Sequence, residues 1–123
     1  MTAASLEPSR SDLVTFEVTS IASSVHVRAA GEIDSSSAPA LRTELSTVLD
    51  LAPAEIVVDL CDVTFLDSAG LSVLAEAHRR ATAEGGRLRV LVSGRAVVRP
   101  LQITGLWQLL EAELVEPEDG SDG

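Results

Sequence analysis

The chain has 123 residues, 46% of them hydrophobic, which supports one domain with one core and excludes a disordered chain. Nine Lys and Arg stand against 19 Asp and Glu, a formal net charge of −10. That balance excludes nucleic acid and an anionic membrane surface as main partners; it suits a basic protein partner or simple solubility.

The first 11 residues are rich in Ser, Pro and Ala and read as a disordered tail. They have no basic region and no apolar core, so no signal peptide is expected. Val14, Phe16 and Val18 alternate with Thr15, Glu17 and Thr19, which predicts a half-buried strand. Val25, Val27 and Ala29 alternate with His26, Arg28 and Ala30 and predict a second. The connection Ile21-Ala22-Ser23-Ser24 is short enough for an antiparallel hairpin.

Ser37 followed by Pro39 reads as a helix start, with Ser37 the N-cap. Ala38, Leu41, Leu45, Val48 and Leu49 then recur at helical spacing, and Pro53 closes the region. Ile56 to Leu60 is a short apolar run, as in a strand covered on both faces. Cys61 to Leu66 reads as the loop after it, with Asp59 and Asp62 solvated.

A helix is predicted from about Ser68 to Glu84, with Leu71, Leu74, Ala75 and Ala81 on one face and Gly85-Gly86 as its stop. Leu88, Val90 and Val92 predict another strand. A further helix runs from about Arg95 to Thr104, shortened or bent by Pro100, with Gly105 at its end. Trp107, Leu109 and Leu110 belong to a last helical element at the sheet's edge. Glu116 to Gly123 is acidic and Gly-rich and reads as a second disordered tail. The domain therefore spans residues 12–115.

Strands that alternate with helices imply right-handed crossovers and parallel pairing. The expected fold is α/β: a small, mixed, mostly parallel sheet of four to five strands. It has an N-terminal antiparallel hairpin and about four helices packed mainly on one side. No apolar run approaches the ~20 residues of a membrane helix, so no membrane insertion is expected. The lone Cys61 permits no intramolecular disulfide, fits a reducing compartment, and reads as a small core residue. A cytoplasmic protein is expected.

Asp67-Ser68-Ala69-Gly70-Leu71 carries the most chemistry. It places a hydroxyl at the start of a helix, where backbone N–H groups and the positive end of the helix dipole point. Ser68 there serves as an N-cap, as a phosphate acceptor, or as both. Ala69 and Gly70 keep the surroundings small enough for another protein to approach. Leu71 and Val73 are candidates for an apolar patch at an exposed helix start. Asp34, ahead of Ser35-Ser36-Ser37, is placed either to flank Ser68 or to stabilise a turn. His26 and His78 are far apart, and no metal-ligand spacing occurs. The sequence lacks G-x-S-x-G and a Gly-rich phosphate loop, so no enzyme is expected.

Three segments together resemble the STAS domain, named for sulfate transporters and anti-sigma factor antagonists. They are Gly31-Glu32-Ile33-Asp34, the run Val58-Asp59-Leu60 to Asp67-Ser68-Ala69-Gly70-Leu71, and Ile103-Thr104-Gly105-Leu106. The resemblance covers Leu13 to Leu114. It implies an anti-sigma factor antagonist whose unphosphorylated form binds an anti-sigma factor that is also a serine kinase, releasing the sigma factor. By that resemblance Ser68 is the phosphoacceptor, flanked by Asp34 and Asp67, with Ala69, Gly70 and Leu71 beside it. A metal-dependent serine phosphatase would reverse the modification. ATP and magnesium would belong to the kinase, and this chain needs no cofactor. The same resemblance fits a STAS scaffold or an accessory subunit of a signalling complex or membrane transporter. A homodimer is compatible with the sequence and not specified by it.

Overall fold

The computed structural model describes residues 14–115; both predicted tails lie outside the described residues. The order is β1 (Val14–Ile21), β2 (Ser24–Ile33), α1 (Ala38–Leu49), β3 (Glu55–Leu66), α2 (Ser68–Ala83) and β4 (Arg87–Val92). It continues with α3 (Arg95–Thr104), α4 (Leu106–Leu109) and β5 (Glu113–Leu114). The five strands form one sheet in the order of the sequence. β1 and β2 are antiparallel, joined through Ala22 and Ser23; every other neighbouring pair is parallel.

This order places the helices on one side. Each parallel strand lies next to the previous one, so successive right-handed crossovers pass over the same face. Strand alternation matches. Val25, Val27 and Ala29, with Ile56, Val58 and Leu60 and with Leu88, Val90 and Val92, are buried toward the helices. Leu41, Leu45 and Leu49 of α1 and Leu74, Ala77 and Ala81 of α2 close over them. Among the described residues, twenty-six buried apolar ones make one core, all of them aliphatic. Such a core gains by area removed from water rather than by aromatic stacking.

The opposite face of the sheet carries charge in rows. Arg28 pairs with Asp62 at 2.8 Å, Arg89 with Glu55 at 3.0 Å and with Glu113 at 2.9 Å. Val57 is 1% exposed on this side, flanked in register by His26 and Arg89. Long polar side chains covering apolar surface suffice there.

Several local readings change. β3 runs on through Cys61–Leu66, which the sequence suggests as a loop, and pairs with β2 across two register irregularities. Cys61 is only half-buried, not core. α3 continues through Pro100 to Thr104. After α4, Val115 donates its backbone N–H to Val92 at 2.7 Å, and a two-residue strand completes the sheet's edge where only helix was expected. The stop of α2 is as read: Gly85 has φ 84°, its N–H bonds to Thr82, and that of Gly86 bonds to Ala81. This is a Schellman turn, which needs a residue at ease with positive φ.

Candidate functional site

β2 and β3 end together at the carboxyl edge of the sheet, where Ile33 lies opposite Leu66. Asp34 and Asp67 follow, one on each strand, so the two acidic positions and Ser68 gather at one edge. In an α/β sheet, ligands are met at this edge, where the loops meet the helix starts.

Asp67, not Ser68, is the N-cap of α2. It has extended dihedrals, φ −110° and ψ −170°, and its Oδ1 accepts from the N–H of Ala69 at 2.9 Å and of Gly70 at 3.4 Å. Either residue type caps well, but the cap position needs non-helical backbone. The bond from Asp67 N–H to Ile33 O, 3.1 Å, holds Asp67 extended beside β2. Ser68 becomes the first helical residue, exposed, and its side chain makes no hydrogen bond among the described residues.

Asp34 is held by the serines after it. Its Oδ1 accepts from Ser36 N–H at 2.9 Å, from Ser36 Oγ at 2.8 Å and from Ser37 N–H at 3.2 Å. The bond from Ser36 Oγ does most to hold its carboxyl below the ordinary 3.8, against a smaller opposing effect of burial. Ser37 occupies the N-cap position of α1 but makes no capping bond. It is 1% exposed, donates its Oγ to Glu32 O at 2.7 Å and accepts from Asp34 N–H at 3.0 Å. Its hydroxyl fastens the end of β2 instead. Ser36 and Ser37 thus supply the turn that the sequence offers as one role for Asp34.

Gly70 is buried. A Cβ there would lie 2.5 Å from Leu66 Cδ1 and 2.7 Å from Ile33 Cγ2. The glycine thus lets α2 close against the ends of β2 and β3, which corrects the reading that it leaves room for a partner. Leu71 and Val73, 6% and 3% exposed, belong to the core and form no exposed patch. Ala69 is half-buried. Phe65, the next-to-last residue of β3 and three positions before Ser68, is 46% exposed, an apolar surface that the sequence pattern does not mark.

Among the described residues no group of three or more His, Cys, Asp or Glu is arranged to hold a metal ion. His26 is exposed on the sheet's polar face, and His78 is half-buried on α2 with Nδ1 unpartnered. Trp107 packs half-buried against the core. No described helix is long and apolar enough to cross a membrane.

A family model described as "Mlab, STAS domain" matches residues 16–115. The chain belongs to the STAS domain family, and known proteins similar to it include anti-sigma factor antagonists. The anti-sigma-B factor antagonist of Bacillus subtilis is 33% identical over 87 residues, 71% of this chain and 79% of that protein. A crystal structure of an anti-sigma factor antagonist from Mycobacterium paratuberculosis superposes with a TM-score of 0.77 at 32% identity, covering 89% of this chain and 92% of that one. SpoIIAA of Bacillus shares the fold in its unphosphorylated form (TM-score 0.71, 24% identity, 88% and 94% covered) and in its phosphorylated form (0.65, 23%, 88% and 97%).

Proposed function

We propose that this chain is itself an anti-sigma factor antagonist with Ser68 as its switch. The unphosphorylated form binds an anti-sigma factor that carries serine kinase activity and frees a sigma factor; phosphorylation of Ser68 ends that binding. A metal-dependent phosphatase restores the hydroxyl. ATP and magnesium are the kinase's.

The observation that carries this reading is the division of labour between Asp67 and Ser68. Asp67 takes over the cap, so the exposed Ser68 hydroxyl has no structural duty at the helix start. A kinase can take it without unfolding the turn. Phosphorylation adds about −1.5 to −2 charges at neutral pH. The N–H groups of Ala69 and Gly70 would otherwise receive a phosphate, but they already serve Asp67. The new charge therefore faces outward beside Asp67 and Asp34. It repels an acidic partner group and adds bulk to a close-fitting surface, and the backbone need not rearrange.

Intact and peptide mass spectrometry after incubation with ATP, magnesium and candidate anti-sigma kinases tests the proposal. Wild type gains one phosphate on the peptide containing Ser68, and Ser68→Ala gains none. A wild type that neither gains phosphate nor binds any candidate overturns it in favour of a scaffold or transporter-subunit role.

A further inference from the structure

The two edges of the sheet are unlike. β5 is two residues long, and so short an edge gives another chain little to pair with. β1 is eight residues long, and among the described residues no strand lies on its outer side. Apart from Glu17 and Ser20, every residue in it is β-branched or aromatic, the composition that favours strand pairing. The usual guards of an exposed edge are missing from it. It has no Pro, no Lys and no bulge, and its register with β2 runs unbroken from Val14 opposite Gly31 to Ile21 opposite Ser24. α1 packs on β2, and from Glu17 to Ile21 every residue of β1 is exposed, whichever face it points to. Val18 is 44% exposed and Ile21 63%.

The hairpin fixes which backbone groups are free. Ala22, with φ 57°, and Ser23 form a two-residue turn, so Ile21 and Ser24 are joined by backbone bonds. Bonded and unbonded pairs then alternate along the ladder. Ile21, Thr19, Glu17 and Thr15 turn their N–H and C=O toward β2, while Ser20, Val18, Phe16 and Val14 turn theirs outward. An antiparallel second copy must match outward residue to outward residue. Two symmetric registers do this over most of the strand. One centres on Glu17 and sets it against Glu17 of the second copy in a close, unbonded pair, where like charges repel. The other centres on Val18. It sets Val18 against Val18, Phe16 against Ser20, Thr15 against Ile21, and Glu17 against Thr19, whose hydroxyl can donate to the carboxylate.

We propose that the outer side of β1 seats a second copy of this chain, paired antiparallel about Val18, so that two five-stranded sheets join into one with the helices on the same face. The strand's own pattern selects this occupant. A two-fold axis through Val18 meets each outward backbone group with a counterpart and brings no like charges opposite each other. The Ser68 edge lies at the carboxyl ends of β2 and β3, and in the pair the two such edges point in opposite directions. The proposal therefore holds whatever that edge binds. An edge strand without helix cover buries less than a standard interface, so the dimer is weak, with a Kd between about 1 µM and 1 mM.

Sedimentation equilibrium and amide NMR of the full chain over that concentration range test the pairing. The expected result is a monomer–dimer equilibrium. As concentration rises, the amides of Phe16, Val18 and Ser20 shift and exchange more slowly with deuterium, and those of Thr15, Glu17, Thr19 and Ile21, already bonded to β2, change far less. Val18→Lys places two ammonium groups on the axis and is expected to weaken dimerisation roughly tenfold or more. Three results overturn the proposal: a monomer throughout, with the outward amides unmoved; self-association that Val18→Lys leaves intact, which puts the interface elsewhere; or outward amides protected at every concentration without a dimer, which gives the edge to another part of the same chain. The concentration series uses wild type alone, so it stands even where the variant folds poorly.

Discussion

The backbone N–H of Asp67 donates to the carbonyl of Ile33 at 3.1 Å. This bond extends the parallel pairing of β2 and β3 one step beyond Ile33 and Leu66. It fixes three things together: the extended backbone that makes Asp67 a cap, the position of Ser68 as first helical residue, and the nearness of Asp34.

The cap assignment predicts unequal stability effects for neighbouring residues. Asp67→Ala leaves the N–H groups of Ala69 and Gly70 without their acceptor. It is expected to cost about 1 kcal/mol, a fall in Tm of roughly 4 °C. Ser68→Ala removes an exposed hydroxyl that bonds to no other side chain or backbone group among the described residues, and is expected to stay within about 0.5 kcal/mol of wild type. Thermal unfolding of the two variants decides it. Equal losses, or a larger loss for Ser68→Ala, return the cap to Ser68.

Gly70→Ala is expected to destabilise by about 1–3 kcal/mol, as overpacked core positions do. Leu66 Cδ1 is the far end of a flexible side chain and can turn away. Ile33 Cγ2, 2.7 Å from the added carbon, sits on a β-branched residue with a stiff χ1. Urea unfolding measures the loss. A neutral result shows that α2 can draw back from β2 without penalty.

Most of the fold is legible because its signals are local. Period-two alternation marks β1 and β2, the aliphatic run marks the first half of β3, and Gly85-Gly86 ends α2 as read. The misreadings all come from long-range pairing. Cys61 to Leu66 mixes polar and apolar residues and looks like a loop, yet β2 supplies hydrogen-bond partners for a continued strand. Asp67 and Ser68 are equally good caps by residue type, and a contact with Ile33 across 34 positions chooses between them. Ser37 has the look of a cap, but the carbonyl of Glu32 captures its hydroxyl. Buried Leu71 and exposed Phe65 reflect where α2 and β3 meet, which spacing alone does not reveal.

Phe65 offers a test of the docking surface separate from phosphorylation. It is a large, 46% exposed apolar side chain three positions before Ser68 in the chain, and half-exposed aromatic anchors commonly carry interface energy. Phe65→Ala is expected to weaken capture of the anti-sigma factor by roughly tenfold, about 1.4 kcal/mol. Titration calorimetry with the kinase found by mass spectrometry measures it. Unchanged affinity places the interface elsewhere on this edge.

Cys61 is expected to be a poor nucleophile while the protein is folded. Burial first, and then the neighbouring Asp59, push its thiol up from 9.0 to about 11. At pH 8 that leaves about a hundredfold less thiolate than an unperturbed thiol has. The folded pKa is raised, so the associated stability is fully present below pH 9.0 and is lost as pH rises through about 11. Iodoacetamide labelling from pH 7 to 11 checks this. Rapid labelling of folded protein at pH 8 contradicts the raised value.

Asp34 gives the opposite sign. Its folded pKa lies below the ordinary 3.8, chiefly through the hydrogen bond from Ser36. A depressed carboxyl contributes stability that is present above its unfolded value and is lost as pH falls through the lower folded one. Wild type is therefore expected to be more stable than Asp34→Ala at pH 7, with the gap unchanged down to about pH 4 and narrowing only below it. Ser36→Ala removes the leading cause of the shift while keeping the carboxylate, so its gap narrows at higher pH than that of wild type. Urea unfolding of the three proteins at stepped pH, with a carbon-detected NMR titration of the Asp34 carboxyl, measures both. A gap that opens as pH falls, or a carboxyl titrating above 3.8, means that Ser36 does not hold the charged form and that the turn after β2 stands on Ser37 and its bond to Glu32 alone.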